Sequence, residues 1–124
     1  MKTDFMVFAD AAAVTQEGKL VIHGIFTQIG ASALPAAHPA MVVAFRLDGV
    51  PPKTAMTFRL RDVMGEKVVS KLALPETGEA NRKKTGGILN LVGLRFEHYG
   101  AYVGELLVGG EVTATSEFLV HKTA

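Results

Sequence analysis

Between Asp4 and Ile29 the chain reads D-F-M-V-F-A-D-A-A-A-V-T-Q-E-G-K-L-V-I-H-G-I-F-T-Q-I. No other stretch restricts the fold as much. It divides into a short apolar strand, a small-residue corner, a polar turn and a long strand. Gln16-Glu17-Gly18-Lys19 is the turn, with Gly18 late in it, where a positive φ is often required. The ten residues after Lys19 are rich in β-branched and aromatic side chains, which favour a pleated strand. Alternation sends Leu20, Ile22 and Phe26 to one face and Val21, Ile25 and Ile29 to the other. Apolar residues on both faces mean a strand covered on both sides or one whose outer face meets another chain. Gly24, in mid-strand, predicts a bulge or a close backbone approach.

The rest of the chain continues in the same period. Strand one is expected at Phe5 to Ala9, followed by a corner or a single helical turn that Asp10 caps. Strand two runs from Lys19 to Ile29. Gly30 to Pro39, with two prolines, is a connector long enough to cross between sheets. Ala40 to Asp48 alternates, with Met41, Val43, Phe45 and Leu47 inward. Thr54 to Asp62 alternates too, with Met56, Phe58 and Leu60 inward. Val63 to Glu66 reads as a hairpin loop before a fifth strand, Lys67 to Leu74. The polar segment Pro75 to Gly87 has no apolar periodicity and is expected to be a mobile loop. Ile88 to Phe96 is a sixth strand with Ile88, Val92, Leu94 and Phe96 on the core face and Leu89 and Leu91 on the other. Ala101 to Val108, the Gly109-Gly110 turn and Glu111 to His121 complete the count. About eight strands without a convincing long helix predict an antiparallel β-sandwich in a single domain spanning 1–124, immunoglobulin-like in layout. Gly100-Ala101-Tyr102 fits a tyrosine corner, in which the phenol bonds back to upstream backbone; the alternative is a tyrosine placed by β-propensity alone.

A chain of 124 residues buries roughly two-thirds of the surface it exposes when unfolded, enough for a core without staples. It has no cysteine. Disulfides, thiolate metal sites and cysteine nucleophiles are therefore excluded, and the composition fits a reducing compartment. The net charge of +1 exerts no global pull on nucleic acid or acidic membrane. The run Phe5 to Ala9 is shorter than the ~7–15 residues of a signal-peptide core, and nothing approaches the ~20 apolar residues of a membrane span. A cytoplasmic setting is expected. The 48% hydrophobic content is high for a small soluble domain and points to a covered face, hence to a homo-oligomer.

Four segments together, F-A-D-A-A (Phe8 to Ala12), G-K-L-V-I-H-G-I-F (Gly18 to Phe26), His38-Pro39 and Gly100 to Tyr102, resemble a family of small bacterial proteins that is uncharacterised, a domain of unknown function. The resemblance covers most of the chain and is most specific in its first half. It implies a compact all-β fold and a bacterial cytoplasmic setting. It implies no activity and supplies no catalytic residues.

No motif carries chemistry. His23, His38, His98 and His121 lack ligand spacing, and neither a nucleophile elbow nor a phosphate loop is present. No metal and no cofactor are expected. Asp10 reads as a cap or Asx-turn more readily than as a general base or cation ligand, since no second acid or histidine lies near it in sequence. The basic residues Arg46, Arg59, Arg61 and Arg95 fall on outward strand positions, and Arg82, Lys83 and Lys84 lie in the polar loop. If those strands share one sheet, they form a patch for an anion or an acidic partner; otherwise they are an ordinary solvated face. Val21, Ile25, Leu89, Leu91, Val103 and Leu107 lie off the expected core faces and suit a contact between copies. The expectation is therefore a non-enzymatic interaction or assembly module that binds itself or a protein partner. The alternative is an anion or nucleic-acid binder using the arginines. An enzyme would need Asp10 and a histidine in mutual reach.

Overall fold

A computed structural model describes residues 1–77 and 84–123. Among the described residues there are nine strands: β1 (Lys2–Val14), β2 (Leu20–Phe26), β3 (Gln28–Ala31), β4 (Ala36–Asp48), β5 (Met56–Asp62), β6 (Lys67–Leu74), β7 (Lys84–Phe96), β8 (Gly100–Val108) and β9 (Glu111–Lys122). They form two sheets, a four-stranded one ordered β2-β1-β4-β7 and a five-stranded one ordered β3-β9-β8-β5-β6. All pairings are antiparallel except β3 with β9, which is parallel.

Several boundaries differ from the sequence reading, each for a local reason. The expected first strand and its alanine corner are one strand of 13 residues. Its first half pairs with β4 and its second half with β2, so the alanines extend a ladder instead of ending it. The expected strand from Lys19 to Ile29 divides at Thr27. Its first part belongs to one sheet and its last residues to the other, with the Thr27 carbonyl accepting the Leu119 N–H at 2.9 Å. That division makes nine strands of the expected eight. Ala36 to Pro39 belong to β4, and Lys84 to Gly87 to β7, where they pair with Asp48 to Phe45; of the rest of the expected loop, Pro75 to Thr77 lie outside any strand and 78–83 lie outside the described residues. The crossing read into Gly30 to Pro39 is present, from β3 in one sheet to β4 in the other.

Alternation identifies the inward residues of β4 and β5, although Val42 and Ala44, on the outward side of β4, are buried as well. Met41, Val43, Phe45, Leu47, Met56, Phe58 and Leu60 are all buried. It fails on β7, where Leu91 is 2% exposed and Val92 is 75% exposed, the reverse of the expected faces. Gly93, with φ of +68°, breaks the period of two, so Leu94 and Phe96 turn inward after it. Leu89 packs against the same core.

Side chains of both sheets meet in one cluster. Phe8 of β1 lies edge-on to Phe118 of β9 with centroids 4.8 Å apart, and Phe96 of β7 lies edge-on to Tyr102 of β8 at 4.9 Å. Tyr102 stacks on Phe118 at 5.5 Å. Such offset and edge-on pairs contribute about 0.5–1.5 kcal/mol each beyond burial. The sheets approach closely at Gly104, where a Cβ would stand 2.7 Å from Phe8 and 3.0 Å from Phe58. Glycine is required there by space.

The crossing from β7 to β8 carries the tyrosine corner. The Tyr102 hydroxyl donates to the His98 carbonyl at 2.9 Å and accepts from the His98 N–H at 3.4 Å. Tyr102 is fully buried.

Candidate functional site

The residues singled out in the sequence do not converge. Arg46 and Arg95 stand on the four-stranded sheet, and Arg59 and Arg61 on the five-stranded one. The condition for one arginine patch, a shared sheet, is not met. Each of these four arginines also has an acid. Arg46 Nε lies 3.0 Å from Asp4, Arg95 Nε 3.9 Å from Glu97, and Glu105 sits between Arg59 (2.8 Å) and Arg61 (2.9 Å). Glu105 is cross-strand from Arg59, the arrangement in which opposite charges on adjacent strands stabilise a sheet. Lys84 Nζ bridges Asp4 at 2.7 Å and Asp48 at 3.3 Å. The hydrogen bond from Lys84, helped by Arg46, holds the Asp4 carboxyl below its ordinary range despite the opposing effect of burial. Arg82 and Lys83 lie outside the described residues.

Asp10 is exposed, opposite Gly24 on the neighbouring strand. Gly24 has φ of +69°, and a Cβ on it would come 2.4 Å from an Asp10 carboxylate oxygen. The mid-strand glycine is thus explained by the close approach of an aspartate. Among the described residues no hydrogen bond or ion pair joins Asp10 to a histidine. No group of three or more His, Asp or Glu is placed to hold a metal ion among the described residues.

A different acid and histidine do meet. Asp62, 1% exposed at the end of β5, accepts the Gly65 N–H at 3.0 Å and lies 2.6 Å from His98 Nδ1. Burial pushes the Asp62 carboxyl up, but the bonds from Gly65 and His98 outweigh it and the net shift is downward. Burial, with Asp62 as a neighbour, pushes the Tyr102 hydroxyl up. A carboxylate that orients an imidazole is half of a general-base arrangement. Among the described residues, however, no serine or threonine hydroxyl bonds to His98. What the trio Asp62, His98 and Tyr102 does is tie the 62–66 turn to the tyrosine corner. The alternation of β5 already put Asp62 on the face of Met56, Phe58 and Leu60, and a carboxylate buried there needs partners; that signal was in the sequence.

The feature left is the β1–β2 hairpin. β2 is an edge strand. Val14, Val21 and Ile25 on this hairpin are 62%, 36% and 59% exposed. Its tip also roofs a cavity of about 640 Å³. Val14, Leu20 and Ile22 near the tip line it together with Phe5, Phe45 and Ile88. Among the described residues, Arg46 and Lys19 are the charged members of the lining.

The profile of a family of unknown function, DUF6941, matches residues 4–121. The chain belongs to this family. The match covers all four segments that carried the resemblance in the sequence. No curated protein matches the chain. Among solved structures, the chain is similar to the Pseudomonas fluorescens alkylpurine DNA glycosylase AlkC bound to DNA containing an abasic site analogue. The identity is 16% and the TM-score 0.47, over 94% of this chain and 30% of that one. The chain thus spans under a third of that protein's length. Among the described residues of this DUF6941 member, no helix is long and apolar enough to cross a membrane.

Proposed function

We propose that the protein is a non-enzymatic assembly module, a two-layer sandwich of immunoglobulin-like layout that self-associates through the β2 edge. The layout is supported by a core shared between the sheets and by the tyrosine corner at the β7–β8 crossing. The reading of self-association rests on how the sheet edges differ. Exposed edges are templates for pairing, and proteins blunt them with short strands, charges and irregularities. β3 has four residues; β6 carries Lys67 and Lys71; β7 carries Lys84, Arg95 and three glycines. β2, L-V-I-H-G-I-F, carries no carboxylate, lysine or arginine.

A second copy of the chain is the partner that this edge suits. Antiparallel pairing about a two-fold axis at His23 places Val21 opposite Ile25 of the other copy, and Leu20 opposite Phe26. Both are apolar cross-strand pairs of the kind that stabilise sheets, and the interface is isologous, as two-fold symmetry demands. The test is solution mass by light scattering at low and high salt, for the natural chain and for Val21→Lys/Ile25→Lys. The expected result is two chains, indifferent to salt, falling to one chain in the variant with its β-sheet circular dichroism unchanged. A monomeric natural chain at high micromolar concentration overturns the reading. So does a dimer that the lysines leave intact.

The alternative, binding of an anion or nucleic acid through the arginines, has less support, because Arg46, Arg59, Arg61 and Arg95 all face carboxylates.

A further inference from the structure

The cavity under the β1–β2 hairpin has a composition that the edge-pairing reading does not use. Its volume, about 640 Å³, is within the range of roughly 300–1,000 Å³ typical of small-molecule sites. The side chains that line it are apolar or cationic: Phe5, Val14, Leu20, Ile22, Phe45 and Ile88 supply the apolar wall, Arg46 and Lys19 the charge, and glycines the remainder. Among the described residues that line it there is no carboxylate, amide or hydroxyl side chain. Every polar side chain that the described residues bring to the lining is therefore a hydrogen-bond donor. We propose that this cavity binds a small amphipathic anion, a molecule with an apolar body and a single carboxylate or similar anionic end.

The chemistry at Arg46 suits such an end. Its guanidinium lies 5.4 Å from the centre of the Phe5 ring and gives its Nε–H to Asp4 at 3.0 Å. A guanidinium has five N–H donors, and one is committed there. Asp4 does not depend on Arg46 alone, since Lys84 holds it at 2.7 Å while also reaching Asp48. A second anion can thus share Arg46 without stranding the first. Lys19, at the hairpin end of the cavity, stands 3.5 Å from Glu17, with both side chains about three-quarters exposed. An ion pair so open to water is weak and yields readily to a ligand. The floor owes its shape to Gly87, where a Cβ would lie 3.0 Å from the Phe45 ring. The absence of that side chain brings an aromatic surface to the cavity.

The test uses three ten-carbon probes of different head-group charge: decanoate, decan-1-ol and decyltrimethylammonium, each below its micelle concentration at fixed salt. Binding is read from amide shifts of the 15N-labelled chain. Decanoate is expected to give saturable shifts confined to the cavity wall, at residues 5, 14–22, 45–46 and 86–88. Its affinity should exceed that of the trimethylammonium probe by about tenfold, the effect of one charge-assisted hydrogen bond on a partly exposed site. Arg46→Met should keep the dispersed spectrum and reduce that ratio to about threefold or less, while Ile22→Trp, which fills the cavity, should abolish binding of all three probes. Unsaturable shifts, shifts centred elsewhere, equal affinity for the anionic and cationic probes, or an unchanged ratio in Arg46→Met would each overturn the proposal.

Discussion

Replacing Tyr102 by phenylalanine removes one oxygen from the middle of the fold and nothing else. The ring would keep its edge-on contact with Phe96 and its stack on Phe118, so the roughly 3–5 kcal/mol that truncation of a buried aromatic costs is not incurred. Two bonds are lost, the 2.9 Å donation to the His98 carbonyl and the longer 3.4 Å acceptance from its N–H. The first contributes about 0.5–1.5 kcal/mol net, and a half-buried carbonyl left short of a donor adds to the loss. His98 is partly open to solvent, so water replaces some of the missing partner. The expected cost is about 1–2 kcal/mol. With an unfolding entropy of roughly 2.1 cal/mol/K per residue, this lowers Tm by ~4–8 °C. Thermal melts followed by circular dichroism measure it, and Tyr102→Ala, which also removes the ring, should fall well below. A Tyr102→Phe melt within ~1 °C of the natural chain would show that the corner is positioned by ring packing alone. A loss equal to that of Tyr102→Ala would show that the ring contacts do not hold without the hydroxyl.

Three more predictions rest on the sites described above. The Asp62 carboxyl is lowered in the folded chain, so it contributes stability that is fully present above the unfolded value of about 3.9 and is lost as pH falls through the folded value; urea midpoints between pH 5 and 2 should fall less steeply for Asp62→Asn, and parallel slopes would refute the assignment. Gly24→Ala should destabilise by about 1–3 kcal/mol through its positive φ and its collision with Asp10, and adding Asp10→Ala should recover part of that loss in chemical denaturation; no recovery would mean that the aspartate is not the obstacle. Glu105→Gln leaves Arg59 and Arg61 side by side without their shared carboxylate, and because both guanidinia are partly exposed the cost should be about 1 kcal/mol, a drop of roughly 0.5 M in urea midpoint that shrinks in high salt.

The sequence carried the fold class because its strongest signals are short-range. Period-two alternation needs only the strand itself, so β4 and β5 were legible down to individual core residues, and the Gly109-Gly110 hairpin needed only its two glycines. The tyrosine corner was legible for the same reason, since Tyr102 reaches back only four residues. What was not legible depends on the partner strand. Nothing in L-V-I-H-G-I-F-T-Q-I says that the chain changes sheets at Thr27, because neither glycine nor proline stands between the two pieces and only β9 gives the second piece a place to pair. Leu94 and Phe96 were placed correctly, but Leu89, Leu91 and Val92 were misassigned because Gly93 adopts a left-handed conformation that glycine permits but does not announce. The arginines looked like a possible patch because outward positions on different strands carry no information about which sheet each strand joins. Likewise, Asp62 and His98 are 36 residues apart and meet only through the turn at Gly65 and the β7–β8 crossing.

The parallel pairing of β3 with β9 has a consequence for synthesis. Gln28 to Ala31 emerge from a ribosome early, but their hydrogen-bonding partners, Leu119 to Lys122, are translated after nearly all of the strands between. The first hairpin can close as soon as β2 is out, while the segment next to it has no edge to join until β9 follows. During elongation the nascent chain therefore carries an apolar hairpin and an unpaired tetrapeptide ahead of an unfinished five-stranded layer. Closing that layer is a late event that couples the first quarter of the chain to its last strand. A reporter of compaction on stalled chains should accordingly record its final step only when the residues of β9 have cleared the exit tunnel.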